Sequence, residues 1–328
     1  PARWLQRLDA VLKAANLTLP ITDWVEKAQG LDQISGLPVP IQRPGPRPPV
    51  EKRPVRLSVT EIETWMRDPY AIYARHVLSL QEIDPIDESP DASDRGTLLH
   101  DALERFVKTY PNELPDHADR ELRKIGHELL DQRVEDIPTR HFWGVRFDKM
   151  ADWFIPHERT WRTQARMTAT EIKGVMTLPG TSFTLSGKAD RFDIMQDGSG
   201  LAIIDYKTGF SPSDKHIIAG ISPQLPLEAA MVQAGSFPGL PPMKVAYLGH
   251  WKLNGGKDGR EKPVDSPPDK LAAEALNGLT DLVNAFADPQ TPYLSQPRPS
   301  ARPRYSDYAH LARVKEWSVL DESGGEDT

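Results

Sequence analysis

Two aspartates and a lysine occupy positions where a hairpin would gather them. Residues 182–196 alternate as a strand, Asp197-Gly198-Ser199-Gly200 reads as a turn, and a short apolar strand from Leu201 runs into Asp205-Tyr206-Lys207. With Asp197-Gly198 as a two-residue turn, Gln196 faces Ser199 and the register places Asp190 opposite Asp205, with Cβ atoms about 5 Å apart. A four-residue loop shifts the register by two and makes them diagonal neighbours, still on one face. Two carboxylates this close need a shared proton, a basic partner or a divalent cation between them. Lys207 lies two residues past Asp205 and so shares its face. Hard oxygen donors suit magnesium or manganese. A lysine beside such an ion can orient a water and stabilise developing negative charge, which is what phosphodiester hydrolysis requires. A plain salt-bridge cluster at a strand end accounts for the same three residues.

The elements around them follow from periodicity. Ser58-Val59-Thr60-Glu61 fits a capping box opening a helix to about Arg67, and Pro69 breaks it before a second helical piece over 70–78. The stretch 81–92 is an acidic, proline-containing loop. Leu99, Leu103, Phe106 and Tyr110 form one stripe of a helix over 94–110, and further helices are expected at 117–134 and 147–166. Residues 169–178 alternate as a strand ahead of the hairpin. A helix over 221–234, a buried strand over 243–251 and an amphipathic helix over 269–287 complete the body. Trp4, Leu5, Leu8, Leu12 and Ala15 give a short amphipathic helix in residues 1–34, which reads as a helical remnant of an upstream domain. Seven prolines between Pro38 and Pro54 make 35–56 a semi-rigid linker. The body then spans 57–320, ahead of an acidic tail at 321–328. The absence of a starting Met fits a piece of something longer.

Composition bounds the function. The 328 residues include no cysteine, which excludes disulfides, thiol catalysis and cysteine-ligated zinc or iron–sulfur clusters. No apolar run reaches the roughly 18 residues of a membrane helix, so no membrane association is expected and the cytoplasm is the default location. The net charge of −7 is not that of a free-standing DNA-coating protein, although a local groove can be positive in an acidic body. No Gly-x-x-x-x-Gly-Lys-Ser/Thr loop occurs, so ATP hydrolysis is not expected.

Four motifs in order carry a resemblance. Gly96-Thr97-Leu98-Leu99-His100, Gly187-Lys188-Ala189-Asp190-Arg191-Phe192-Asp193, Asp205-Tyr206-Lys207-Thr208-Gly209 and Gln224-Leu225-Pro226-Leu227 resemble those of the RecB-type branch of the PD-(D/E)XK nucleases. The likeness covers roughly 57–313 and is greatest to the C-terminal nuclease domain of AddB-type subunits of helicase–nucleases. It implies an α/β fold with a mixed central sheet flanked by helices, the restriction-endonuclease-like core with extra helices. It implies a Mg2+ or Mn2+ ion held by His100, Asp190, Asp205 and the Tyr206 backbone carbonyl, with Lys207 as catalytic lysine and Gln224 supporting the site or a DNA phosphate. It implies DNA as substrate, at linear double-stranded ends and on single strands, and an AddA-like helicase–nuclease subunit as partner. Such complexes process double-strand break ends for recombinational repair, and the AddB-type nuclease cuts the 5′-terminated strand. Where many relatives carry four cysteines for an iron–sulfur cluster, this chain has Asp68, Pro303, Ser306 and Ala312, so ordinary packing must join its first and last segments. Where a tyrosine often follows the glutamine by four residues, it has Glu228.

Other residues are weighed around that set. Glu104, one turn past His100, and Glu171, on the first core strand, are candidates for orienting the metal-binding groups, against the simpler reading of solvated carboxylates; Glu228 is a third. Arg191 and Asp193 read as a structural ion pair. Arg159, Arg162 and Arg166 at helical spacing, and Arg302 and Arg304 in a proline-rich stretch, are candidate DNA contacts, against the favoured reading of a solvated charged face. A free-standing exonuclease and a non-catalytic DNA or partner clamp are the competing readings.

Overall fold

The computed structural model describes residues 2–17, 22–32, 41–83, 90–253, 259–298, 301–303 and 305–323. Contacts divide the chain into two units, one of residues 43–315 and one of 1–42 with 316–328. The smaller contains helices α1 (Arg3–Ala14) and α2 (Thr22–Asp32). The larger opens with strand β1 (Arg56–Ser58), helix α3 (Val59–Arg67) and the short α4 (Pro69–Ile72), which runs into a single π-type turn. Three long helices follow: α5 (Ala92–Thr109), α6 (Ala118–Arg133) and α7 (Ile137–Trp161). Then come β2 (Ala165–Thr177), β3 (Thr184–Met195) and β4 (Leu201–Lys207), α8 (Asp214–Ile218), α9 (Gln224–Gln233), β5 (Val245–Lys252), β6 (Arg260–Pro263) and α10 (Pro268–Ala287). Helix α11 (Val314–Ser323) follows the last loop. The order and the mixed sheet match the expected PD-(D/E)XK-like core.

The sheet runs β1-β3-β4-β5-β6, with β2 on the other edge of β3. β2–β3 and β3–β4 are antiparallel hairpins, and β4–β5 is parallel, joined across α8 and α9. The β3–β4 pairs Arg191↔Ile204, Phe192↔Ile203 and Asp193↔Ala202 have the register that the turn predicts. Strand β4 alternates between two cores. Leu201 and Ile203 enter the one built with α3, α9 and α10; Ala202, Ile204 and Tyr206 enter the one built with α5, α6 and α7. Helices thus cover both faces, as a parallel pair buried on both sides requires.

Local signals explain most boundaries. Ser58 Oγ accepts from Glu61 N, and Glu61 reaches back to Ser58 N, closing the expected capping box. The expectation of one helix over 147–166 is corrected at both ends. α7 begins at Ile137, where the Asp136 carboxylate accepts from Thr139 N, and stops at Trp161, with β2 starting at Ala165. Proline-rich residues 43–54 lie along the end of α10. The buried Arg53 guanidinium donates to the carbonyls of Phe286, Asp288 and Pro289. The first and last segments of the body meet without cysteine: Ser306 Oγ donates to buried Asp68, Tyr308 Oη donates to Leu80 O, and Ala312 packs with Tyr70 and Ala74.

Candidate active site

Gly96 and His100 show how a helix is aimed at a strand end. A Cβ on Gly96 would stand 3.2 Å from Thr208 Oγ1, so glycine lets α5 approach the end of β4 closely. One turn later, His100 Nε2 lies 3.0 Å from the Tyr206 carbonyl oxygen. Its other nitrogen, Nδ1, faces Asp190 Oδ1 at 3.5 Å and Glu171 Oε1 at 3.8 Å. Burial works to lower the His100 pKa, but hydrogen bonding to Asp190 and Glu171 lifts it to about 10. Without another cation, the imidazolium supplies the positive charge those carboxylates require.

Asp190 lies one residue beyond the last β3–β4 pair, and its Oδ2 accepts from Tyr206 N at 2.7 Å. Burial and then the charge of Asp205 push its pKa up. Asp205 is buried and clasped from the α9 side. Its Oδ1 accepts from Gln224 Nε2 at 2.7 Å and from Lys207 Nζ at 3.0 Å, while Lys207 Nζ also donates to Gln224 Oε1 at 3.2 Å. Asp205 Oδ2 is buried 2.8 Å from Lys207 Nζ, yet receives no well-directed hydrogen bond, which leaves a lone pair for a cation. Burial opposes the charge on Lys207, but Asp205 outweighs it and the pKa rises above the usual lysine value. Lys207 is therefore a positive charge with one N–H beyond its two hydrogen bonds.

The remaining expectations divide. Glu171 is in the site: its side chain is 9% exposed, and its second oxygen pairs with Lys188. Glu228 is fully buried and accepts from Gln224 Nε2 at 3.3 Å; burial, with Asp205 and Asp190, pushes its pKa well up. Glu104 is paired with Lys108, and its charge also acts on Lys188. Arg191 and Asp193 form the expected structural pair. The Arg191 guanidinium also binds Glu158, both side chains being wholly buried, and donates to Tyr206 Oη at 3.3 Å. Arg159, Arg162 and Arg166 do not form one helical row, because α7 ends between them. Arg162 is tied to Glu158 and the Tyr110 carbonyl, and Arg166 lies on β2. Arg302 lines a cleft of about 660 Å³ together with Arg67, Arg75, Phe210, His216 and Tyr305. Arg304 lies outside the described residues. Arg67 donates to Ser222, two residues before Gln224, so the cleft adjoins the site.

Sequence reasoning did not single out two contributors. His250, buried on β5 opposite Asp205, is 3.8 Å from Asp205 Oδ2. A parallel crossover register cannot be read along the chain, so its place is invisible there. Lys188 lies within a recognised motif, but its partner sits on a different hairpin arm.

His100, Glu171 and Asp190 offer ligand atoms all within 4.8 Å of one another, a mixed nitrogen and oxygen set. That set, with the open lone pair on Asp205, fits a divalent metal ion. A family model of the PD-(D/E)XK nuclease superfamily matches residues 56–302, which contain the whole constellation. The chain belongs to the PD-(D/E)XK nuclease superfamily. Nucleases of this superfamily use divalent metal ions. Similar proteins include an uncharacterized protein of Rickettsia bellii, 34% identical over 183 residues, 55% of this chain and 22% of that protein. Another is the B-type subunit of the ATP-dependent helicase/deoxyribonuclease of Streptococcus mutans, 26% identical over 231 residues, 65% of this chain and 19% of that protein. Its counterpart in Streptococcus pneumoniae is 25% identical over 194 residues, 56% of this chain and 17% of that protein. The chain thus matches about a fifth of the length of these relatives. Among the described residues no helix is long and apolar enough to cross a membrane.

Proposed function

We propose that this chain is a divalent-metal-dependent DNA nuclease module of the AddB type, working within a larger helicase–nuclease on double-strand break ends. The carrying observation is the clasp of Lys207 between Asp205 and Gln224, across the end of β4 from His100 and Asp190. His100, Asp190, Asp205 and the Tyr206 carbonyl are the residues that would hold Mg2+ or Mn2+. When bound, such an ion supplies a Lewis acid for the scissile phosphate and a water of lowered pKa. The chain's own groups do the rest. Gln224 donates to the carboxylate of Asp205 and accepts from the ammonium of Lys207, fixing the two together. Lys207 keeps its proton and directs its free N–H at charge developing on the phosphate. His100 would hold such an ion through a neutral imidazole nitrogen. The likeness to helicase/deoxyribonuclease subunits supports DNA as substrate, an AddA-like partner and cutting of the 5′-terminated strand.

The test uses the purified chain with end-labelled linear DNA, single- and double-stranded, in Mg2+, Mn2+ or EDTA, beside Lys207→Ala. Cleavage should require metal and fall about 10²–10³-fold in the variant, while Mn2+ binding by calorimetry persists. A chain that binds no Mn2+ defeats the reading.

A further inference from the structure

Arg95 and Arg146 are two cations held near one another with no anion between them. Arg95 is the fourth residue of α5, and Arg146 lies in the first half of α7. Both are half-buried, and both line the same small hollow, whose other walls include Leu99, Trp143 and Leu253. At about 20 Å³ the hollow has room for no more than a water, so an anion large enough to answer both charges must lie on its rim. Burial, and then the charge of Arg146, lower the Arg95 pKa. Among the described residues neither guanidinium is in an ion pair.

The acids nearest in sequence are engaged elsewhere. Asp91 accepts from the amides of Ser93 and Asp94, and Asp94 accepts from the amide of Asp91, which closes the cap of α5. Asp148 is paired with Arg123 and His127. A chain of net charge −7 thus leaves two arginines facing one another unmatched. Phe142, one turn before Arg146 and 54% exposed, lies 4.7 Å from that guanidinium, measured at the ring centre. The ring takes the face of the guanidinium and leaves its N–H groups for another acceptor.

The pair adjoins the end of β4. Gly96, next to Arg95, comes against Thr208, which follows Lys207, and Leu253 N donates to the Lys207 carbonyl at 2.7 Å. His100 is five residues further along α5, about 7.5 Å of helix rise. We propose that Arg95 and Arg146 together bind a backbone phosphate of the DNA strand, next to the one that lies at Lys207, with Phe142 holding Arg146 in place. This rests on the nuclease reading and gives its substrate a second point of attachment. Paired guanidiniums suit a phosphate because each presents a fork of N–H donors to its oxygens.

The test is fluorescence anisotropy of a labelled single-stranded oligonucleotide with the full chain in EDTA, across a range of salt. The double variant Arg95→Gln/Arg146→Gln should raise Kd about tenfold at low salt. The slope of log affinity against log salt should shrink by about 0.7, one phosphate's worth. Its melting temperature should be no lower than that of the wild type, because the mutual repulsion is gone, and its Mn2+ binding should be unchanged. Arg120→Gln, the same loss of charge at an exposed position on α6, should leave Kd within about twofold. An unaltered Kd and slope in the double variant overturn the inference, as does an equal loss in Arg120→Gln. Displacement of the oligonucleotide by polyglutamate of equal charge, lost in the double variant, would make this a site for an acidic protein and also overturn it. A wild type that binds the oligonucleotide through these arginines but binds no Mn2+ defeats the nuclease reading alone, so the two failures are distinguishable.

Discussion

Arg191 illustrates how one residue ties stability to the site. Its guanidinium is buried between Asp193 and Glu158 and lies 5.3 Å from the Trp251 ring centre, while it also steadies the Tyr206 hydroxyl. Trp161 Nε1 donates to Asp193 and Arg162 to Glu158, so each charge is matched. Removing one member of such a buried set strands the others. Glu158→Gln should cost about 3–5 kcal/mol, measured by urea unfolding at pH 7. The pH dependence has a definite sign. Burial works to raise the Glu158 pKa, but Arg191 holds it below the usual glutamate value. Its stabilisation is therefore fully present above about pH 4.5 and lost as pH falls through the depressed value. Wild type should lose stability more steeply than Glu158→Gln below pH 4.5, by tryptophan fluorescence. Parallel curves would show that the pair does not carry this linkage.

At the scale of elements, α5 is a pointer whose aim depends on Gly96. A helix-interior Gly→Ala change ordinarily gains about 1 kcal/mol. Here the new Cβ would stand 3.2 Å from Thr208 Oγ1, so either that side chain turns aside or α5 gives by a few tenths of an ångström and shifts His100 with it. Gly96→Ala should therefore gain less than about 0.5 kcal/mol and weaken Mn2+ binding severalfold. A full propensity gain with unchanged binding would sink the idea. The pointer and its target are both legible in the sequence. The Gly-to-His spacing, the Asp-Gly turn and the capping box are local signals, and the hairpin register follows from the turn alone. The start of α7 is not legible in the same way, because its apolar face begins at Trp143 and Phe147, while the cap at Asp136 lies a turn or more earlier. Glu171 reads along the chain as a solvated strand residue because Ala169-Thr170-Glu171-Ile172 carries no mark of its left-handed backbone. It sits in a ladder with β3 whose register shifts between Met167 and Ala169, a tertiary feature that no window along the chain contains.

For the whole molecule, the net charge of −7 makes long-range attraction of DNA unfavourable, so any phosphate binding must be local. The cleft beside α3 offers such a place. Arg75 and Arg302 line it together with Phe210 and Tyr305, cations for a backbone and rings for unstacked bases. Acidic residues line it too: Glu61 is matched by His76 and Glu63 by Arg67, Asp68 accepts from Ser306, and Asp307 is on its wall. Arg75 has a half-exposed side chain only loosely associated with Glu61, at 3.9 Å. If a single strand reaches the site by this route, Arg75→Glu should raise KM for single-stranded DNA about tenfold at low salt and leave Mn2+ binding unchanged. The slope of log affinity against log salt should shrink by about 0.7 for the one phosphate no longer neutralised. Tyr305→Ala, by contrast, should weaken binding equally at all salt concentrations, because stacking releases no counterions. An Arg75→Glu protein with unaltered KM and slope would place the strand elsewhere, and the cleft would then be only the joint between the first and last segments of the body. The contrast between the two variants separates a charged path from a merely structural seam without reference to cutting polarity.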